Sequence, residues 1–303
     1  MAAGKKDAEP QTSKTCTMLS AQMLLADCAS AIVVSGLVGI PISIIDFSVM
    51  AKVSGVVPSM GVQIKAGVKA LFTNPAIFFL RDTPTTYYNR VYRLCFTVYL
   101  GTYITANCVR SISEGYLKQA PETVAWNCGI ASSIANTLLT IWKDINILRV
   151  MPASLSGAKG SNYIPMLSRG LFALRDTVTC LAAFTVVPLF KDYLMRTQPT
   201  WSEYRSKTTA SLATPCAIQF LTTAIHIPAI KYQRMYQPGR KWGGPEGYMA
   251  GCVGALKADY AGAVRLRVPR IFFAYGLGTL LNTDLRAWMI KKVEPSAYAL
   301  RGL

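Results

Sequence analysis

Six stretches of the chain are mostly apolar: residues 18–52, 83–111, 123–150, 175–195, 206–235 and 268–290. Each is about as long as a bilayer-spanning helix, which needs roughly 20 such residues. Pro41 and Pro228 fall inside helical patterns. They should kink their helices rather than end them, which membrane helices tolerate when neighbours satisfy the freed carbonyl. Shorter amphipathic pieces lie between the runs, at residues 61–72, 161–170 and 247–259. Gly and Pro punctuation sets them off, at Pro58, Pro152, Gly157, Gly160, Pro238, Gly239, Gly243 and Gly244. The pattern predicts an all-α membrane protein with six transmembrane helices in three pairs.

A period supports the pairing. The string Leu80-Arg81-Asp82-Thr83-Pro84-Thr85 recurs 94 residues later as Leu174-Arg175-Asp176-Thr177-Val178-Thr179, and more weakly 92 residues on as Leu266-Arg267-Val268-Pro269. A match of five residues in six at that offset is a repeat signal. Pro41 lies 40 residues before Arg81, and Pro228 lies 39 before Arg267. Upstream of Arg175, Trp142 stands nearest the proline position, 33 residues away. The expected organisation is a polar tail over residues 1–17, then repeats over 18–120, 121–205 and 206–303.

Composition agrees with a membrane bundle. Hydrophobic residues make up 51% of the 303-residue chain and charged residues 16%, below the roughly 25% of a soluble domain. The net charge of +17 would suit nucleic acid only on a solvated basic patch, and apolar runs separate these charges. Most of the excess falls on one side of the expected topology. Residues 52–82, 143–176 and 231–270 hold 4, 5 and 8 Lys/Arg against 1, 2 and 2 Asp/Glu. Residues 110–122 and 191–207 are nearly balanced, with six basic and four acidic side chains. One basic membrane face is expected.

Three tandem repeats of about a hundred residues, with short amphipathic helices on a basic face, resemble the mitochondrial carrier family. Repeat 1 offers Leu71-Phe72-Thr73-Asn74, then Arg81 and Pro84. Repeat 3 offers Asp259-Tyr260-Ala261-Gly262, then Arg267 and Pro269, and repeat 2 keeps Arg169-Gly170 and Arg175. The resemblance spans residues 18–292. It implies the mitochondrial carrier fold, six helices in three pseudosymmetric repeats around a central cavity. It also implies the mitochondrial inner membrane, with both termini toward the intermembrane space.

In that family each odd helix carries a proline, an acid two residues later and a base three after that, and these form a salt-bridge gate. Here repeat 1 has Pro41, Ser43 and Asp46; repeat 2 has Trp142, Asp144 and Ile147; repeat 3 has Pro228, Ile230 and Gln233. Three ion pairs cannot be built from these remnants. The even-helix gate is also thin, at Tyr92-Arg93 and Phe190-Lys191-Asp192. Two readings follow. Either gating is lost and the fold is a structural module, or a divergent carrier gates by hydrogen bonds and packing.

By the same resemblance Arg81, Arg175 and Arg267 stand at the substrate level, where three guanidiniums would suit a small anionic solute. The alternative is that they are interfacial residues, paired locally or snorkelling to lipid headgroups. His226 is the only histidine and reads as a packed helix residue. Gly36 and Gly39 read as points of close helix approach. The eight cysteines have no CxxC or metal spacing. No phosphate loop and no catalytic triad appears, so no enzyme is expected.

The leading expectation is thus an accessory or structural subunit of a respiratory-chain or ATP-synthase assembly, partnered by other inner-membrane subunits and by membrane lipids. The alternative is a mitochondrial carrier exchanging a small anionic metabolite; a third is a carrier-like protein of the outer membrane. No metal and no cofactor are expected, and bound phospholipid such as cardiolipin fits the basic face. Nucleic acid is not an expected partner.

Overall fold

The computed structural model describes residues 21–53, 59–80, 87–150, 165–235, 247–293 and 295. All described secondary structure is helical. Helix α1 runs Ala21–Val53, α2 Met60–Thr73, α3 Ala76–Phe79 and α4 Tyr88–Ser111, which continues into a π-helical turn at Ile112–Tyr116. Helix α5 is Pro121–Val150. Helix α6, Met166–Leu181, passes through a π turn at Ala182–Val186 into α7, Val187–Thr197. Helix α8 is Glu203–Met235, and α9, Tyr248–Ile271, passes through Phe272–Leu277 into α10, Gly278–Val293.

Local chemistry explains several ends. Helix α5 starts with Pro121, whose missing N–H costs nothing there, and Glu122 complements the helix dipole. Ahead of α8, the Ser202 hydroxyl accepts from the Arg205 N–H at 3.2 Å, the bond of an N-cap. Pro41 and Pro228 lie inside α1 and α8, which run on past them.

The long helices close into a ring. Helix α1 packs on α4, α4 on α5, α5 on α6, α6 and α7 on α8, α8 on α9, and α10 returns to α1. The interior combines an apolar core with many buried polar groups, and large apolar side chains cover the outside. On α1, Asp27, Ser30, Ser43 and Asp46 are buried while Leu25, Ile32 and Leu37 are exposed. Ile134 and Leu138 on α5, and Phe220 and Leu221 on α8, also face outward. An apolar outer surface of this extent wants lipid. The chain is a multi-pass, largely helical membrane protein.

The expected carrier architecture does not hold. The described residues form eight continuous helices, and four of them are long and apolar enough to cross a membrane: Ala21–Ser48, Pro121–Asp144, Met166–Thr197 and Glu203–Tyr232. The anticipated spans at 83–111 and 268–290 fail on composition. Helix α4 carries Asn89, Arg90, Arg93, Asn107 and Arg110, and the α9–α10 rod carries Arg267, Arg270, Asp284, Arg286, Lys291 and Lys292. The three pairs are also not equivalent. After α1 the chain makes separate helices α2 and α3, broken at Asn74-Pro75. After α5 and α8, with no proline at that point, the short piece and the following helix are one rod. Gly170 and Gly262 sit inside these rods in open space.

The basic charge is also placed differently from a simple membrane-facing belt. Lys143 is buried, and Arg175, Arg267 and Arg270 are half-buried within the ring.

One polar cluster fastens the ring where α1 meets α10. Arg286 Nε donates to Asp27 Oδ1 at 2.6 Å, and both side chains are fully enclosed. The Ser111 hydroxyl donates to Asp27 Oδ2 at 2.5 Å and accepts from Arg286 Nη2 at 2.8 Å. Asn107 and Asn282 exchange amide hydrogen bonds at 3.1 and 2.8 Å beside them. Removing one member leaves a buried unpaired charge. Arg286→Ala is expected to destabilise the fold by about 3–5 kcal/mol, read as a lowered thermal midpoint in detergent; an unchanged midpoint would contradict the cluster's role.

Candidate functional site

A second charged cluster joins α1 to α5 and α9. Asp46 Oδ2 accepts from Lys143 Nζ at 2.7 Å, and Asp46 Oδ1 from Arg270 Nε at 2.6 Å. Arg270 Nη2 adds a contact to Oδ2 at 3.3 Å, and the Cys95 thiol lies 3.8 Å from the same oxygen. Lys143 also reaches Asp144, 3.1 Å away on the outer side. One buried carboxylate therefore holds two cations from helices far apart in sequence.

Beyond Arg270 lies a small cavity enclosed by α4, α5, α6, α9 and the π turn after α9. Its volume of about 20 Å³ holds roughly one water molecule. Arg175, Asp176, Arg267 and Arg270 line it together with Asn136 and Thr140.

Arg175 is gripped from two sides. Its Nε and Nη2 donate to Asp176 Oδ1 at 2.7 and 2.6 Å. Its Nη1 stands 2.9 Å from His226 Nδ1, and a guanidinium can only donate, so Nδ1 is the acceptor there. The Phe172 ring lies under the guanidinium at 5.2 Å. Asp176 Oδ2 takes no hydrogen bond from a described residue.

Arg267 is held differently. Its Nη2 donates to the Gln219 side-chain carbonyl at 3.0 Å and lies 3.5 Å from Thr222 Oγ1. Both partners are neutral. Its Nε is buried and has no partner among the described residues, and no described carboxylate pairs with this guanidinium. A buried donor left empty costs about 1–3 kcal/mol unless something fills it.

Neutral polar groups complete the wall. The Tyr275 hydroxyl receives the Cys180 thiol at 3.5 Å and donates to Asn136 Oδ1 at 2.6 Å. The Thr102 hydroxyl also donates to Asn136 Oδ1, at 3.4 Å, so the amide oxygen is taken and its NH2 is the group left to bond.

The residues singled out in the sequence are only partly gathered here. Arg175 and Arg267 share the cavity; Arg81 lies outside the described residues. Asp46 is the hub of the ion-pair cluster, and Asp144 flanks it with a half-exposed side chain. Pro41 is within α1, and the nearby Ser43 hydroxyl donates to the Ile40 carbonyl at 2.8 Å, a local backbone bond. Trp142 is nearly half exposed. The carbonyl of Pro228 lies 3.7 Å from the Cys252 thiol. Ile230 is half-buried on α8; Gln233 belongs to α8, but its side chain lies outside the described residues.

Sequence reasoning missed Lys143, Arg270, Asn136 and the partner of His226. One signal was present: Asp27, Asp46 and Lys143 are ionisable residues inside apolar runs, where an unpaired charge is too costly to keep.

A family model described as a probable citrulline exporter matches residues 30–290. The chain belongs to this probable citrulline exporter family. No curated protein matches it, and no solved structure matches it. The membership overturns the mitochondrial carrier assignment and, with it, both the accessory-subunit reading and the anion-exchanging carrier. The resemblance rested on loose motifs, a string repeated around Arg81 and Arg175 and prolines at one spacing. The paired acids and bases that define the carrier signature were missing from it. The description is that of a transporter, in keeping with a sequence that offers no catalytic constellation.

Asp46 gives the site a direct check. Asp46→Ala is expected to cost about 3–5 kcal/mol by stranding two cations. The double variant Asp46→Ala/Lys143→Ala should lose less than the sum of the single changes. Additive losses in thermal unfolding would show that the two side chains do not interact.

Proposed function

We propose that the protein exports citrulline across a membrane and binds it in the cavity between α4, α5, α6 and α9. The observation that carries this reading is the cavity's unfilled bonding capacity. A guanidinium nitrogen of Arg267 has no partner among the described residues, and Asp176 is bonded by Arg175 through Oδ1 while no described residue reaches Oδ2. A zwitterionic amino acid brings a carboxylate for the first and an ammonium for the second. The family description supplies the identity of the amino acid.

The cavity as it stands is far smaller than citrulline. Loading requires the helices around it to part, and the Asp46 cluster is the tie that opposes separation of α1, α5 and α9. Such a tie biases the closed state against open ones. The mitochondrial inner membrane and the intermembrane-space termini came from the carrier resemblance, and they do not carry over with it.

Purified protein in liposomes loaded with labelled citrulline tests the proposal. Efflux above that of protein-free liposomes is expected. Arg267→Gln should reduce it roughly tenfold or more, with helical content retained by circular dichroism. Wild-type protein that moves no citrulline in either direction would end the proposal.

A further inference from the structure

We infer that the cavity selects its amino acid by charge: Arg267 takes the α-carboxylate, Asp176 the α-ammonium, and the Asn136 face admits only an uncharged side chain. This rests on the export reading above and names what that site accepts and refuses.

The assignment follows from which atoms are already occupied. Arg270 is engaged with Asp46 through Nε and Nη2. Arg175 is engaged with Asp176 and His226 through Nε, Nη1 and Nη2. Arg267 alone of the three is held only by neutral partners, Gln219 and Thr222, and its Nε has none among the described residues, so a carboxylate entering the cavity gains most there. An ammonium entering the cavity meets one carboxylate among the described wall residues, Asp176, which Arg175 bonds through Oδ1. The rest of the described wall is cationic or neutral.

The side-chain end is set by Asn136 and Thr140. Tyr275 ties up the Asn136 carbonyl oxygen at 2.6 Å, so the amide presents donors. A ureido group answers with its carbonyl oxygen, and its N–H groups can meet the Thr140 hydroxyl as acceptor. An ammonium or guanidinium side chain has only donors to offer to that NH2. It would also bring a further positive charge into a space walled by Arg175, Arg267 and Arg270, with one carboxylate to share. Rejection is thus built from repulsion as well as from lost bonds. Ornithine differs from citrulline at this end alone, carrying an ammonium in place of the neutral ureido group.

Competition against labelled citrulline in the proteoliposome assay reads the inference on the unaltered protein. Unlabelled citrulline and glutamine, both with neutral side chains, are expected to compete. Ornithine and lysine should compete at least roughly tenfold less well, as should citrulline amide, which lacks the carboxylate, and N-acetylcitrulline, which lacks the ammonium. Asn136→Asp keeps the Tyr275 bond and adds a negative charge at the side-chain end. It should raise ornithine competition relative to citrulline by roughly tenfold. Citrulline flux with ornithine or the two blocked analogues competing equally would overturn the inference and leave the export reading standing. So would an Asn136→Asp protein that still moves citrulline with an unchanged ratio. Absence of any citrulline flux in the wild type would overturn the export reading, and this assignment with it.

Discussion

A carboxylate enclosed between two cations must stay where it is, because each partner, once separated, becomes a buried charge with nothing to offset it. Asp46 is in that position. Lys143 reaches it from α5 and Arg270 from α9, so a single side chain on α1 fixes the spacing of three helices. The cavity lies just beyond Arg270 and inherits its shape from that spacing. The energetic worth of such a cluster is mostly negative in sense: it costs little when complete and much when broken. It therefore specifies one arrangement of the ring more than it adds to stability.

The same helix bears Asp27, which is nineteen residues from Asp46 and so about 28 Å away along the axis. Asp27 is matched by Arg286, as Asp46 is by Arg270, so the α9–α10 rod runs antiparallel to α1 and is pinned to it at two levels. Between these pins lies the π turn Phe272–Leu277, where the Tyr103 hydroxyl donates to the Ala274 carbonyl. A carbonyl displaced from regular helical bonding is thus satisfied from the neighbouring helix. The paired charges inside and the apolar exterior are two sides of one requirement. Charges can stay in a membrane only when they meet each other, and the residues that meet lipid must then carry none.

Arg175 and Arg267 show how similar sequence contexts acquire different chemistry. Both follow leucine in a repeated string. Arg175 is followed by Asp176, which pairs with it, and His226 braces it from α8. Arg267 is followed by Val268, and only the neutral Gln219 and Thr222 support it. One guanidinium is neutralised in place, and the other has no carboxylate beside it among the described residues.

The alternation of apolar runs with Gly/Pro breaks was enough to determine a helical, multi-pass membrane protein, because the length and apolarity of a span are local properties. Recurrence of the Leu-Arg string was also legible, but it overstated the symmetry. A string of six residues does not reveal that Asn74-Pro75 breaks one segment while its counterparts run on as single rods. The charges on α4 and on the α9–α10 rod, which set them apart from the four apolar helices, were legible in the chain as well, and reading those two apolar runs as spans passed over them. The site depended on tertiary structure throughout. Asp46 and Arg270 are separated by more than two hundred residues, and Arg175 and His226 by fifty-one. Sequence can mark each as an ionisable group in an apolar setting. Only the closed ring decides which charge neutralises which, and so which one is left over.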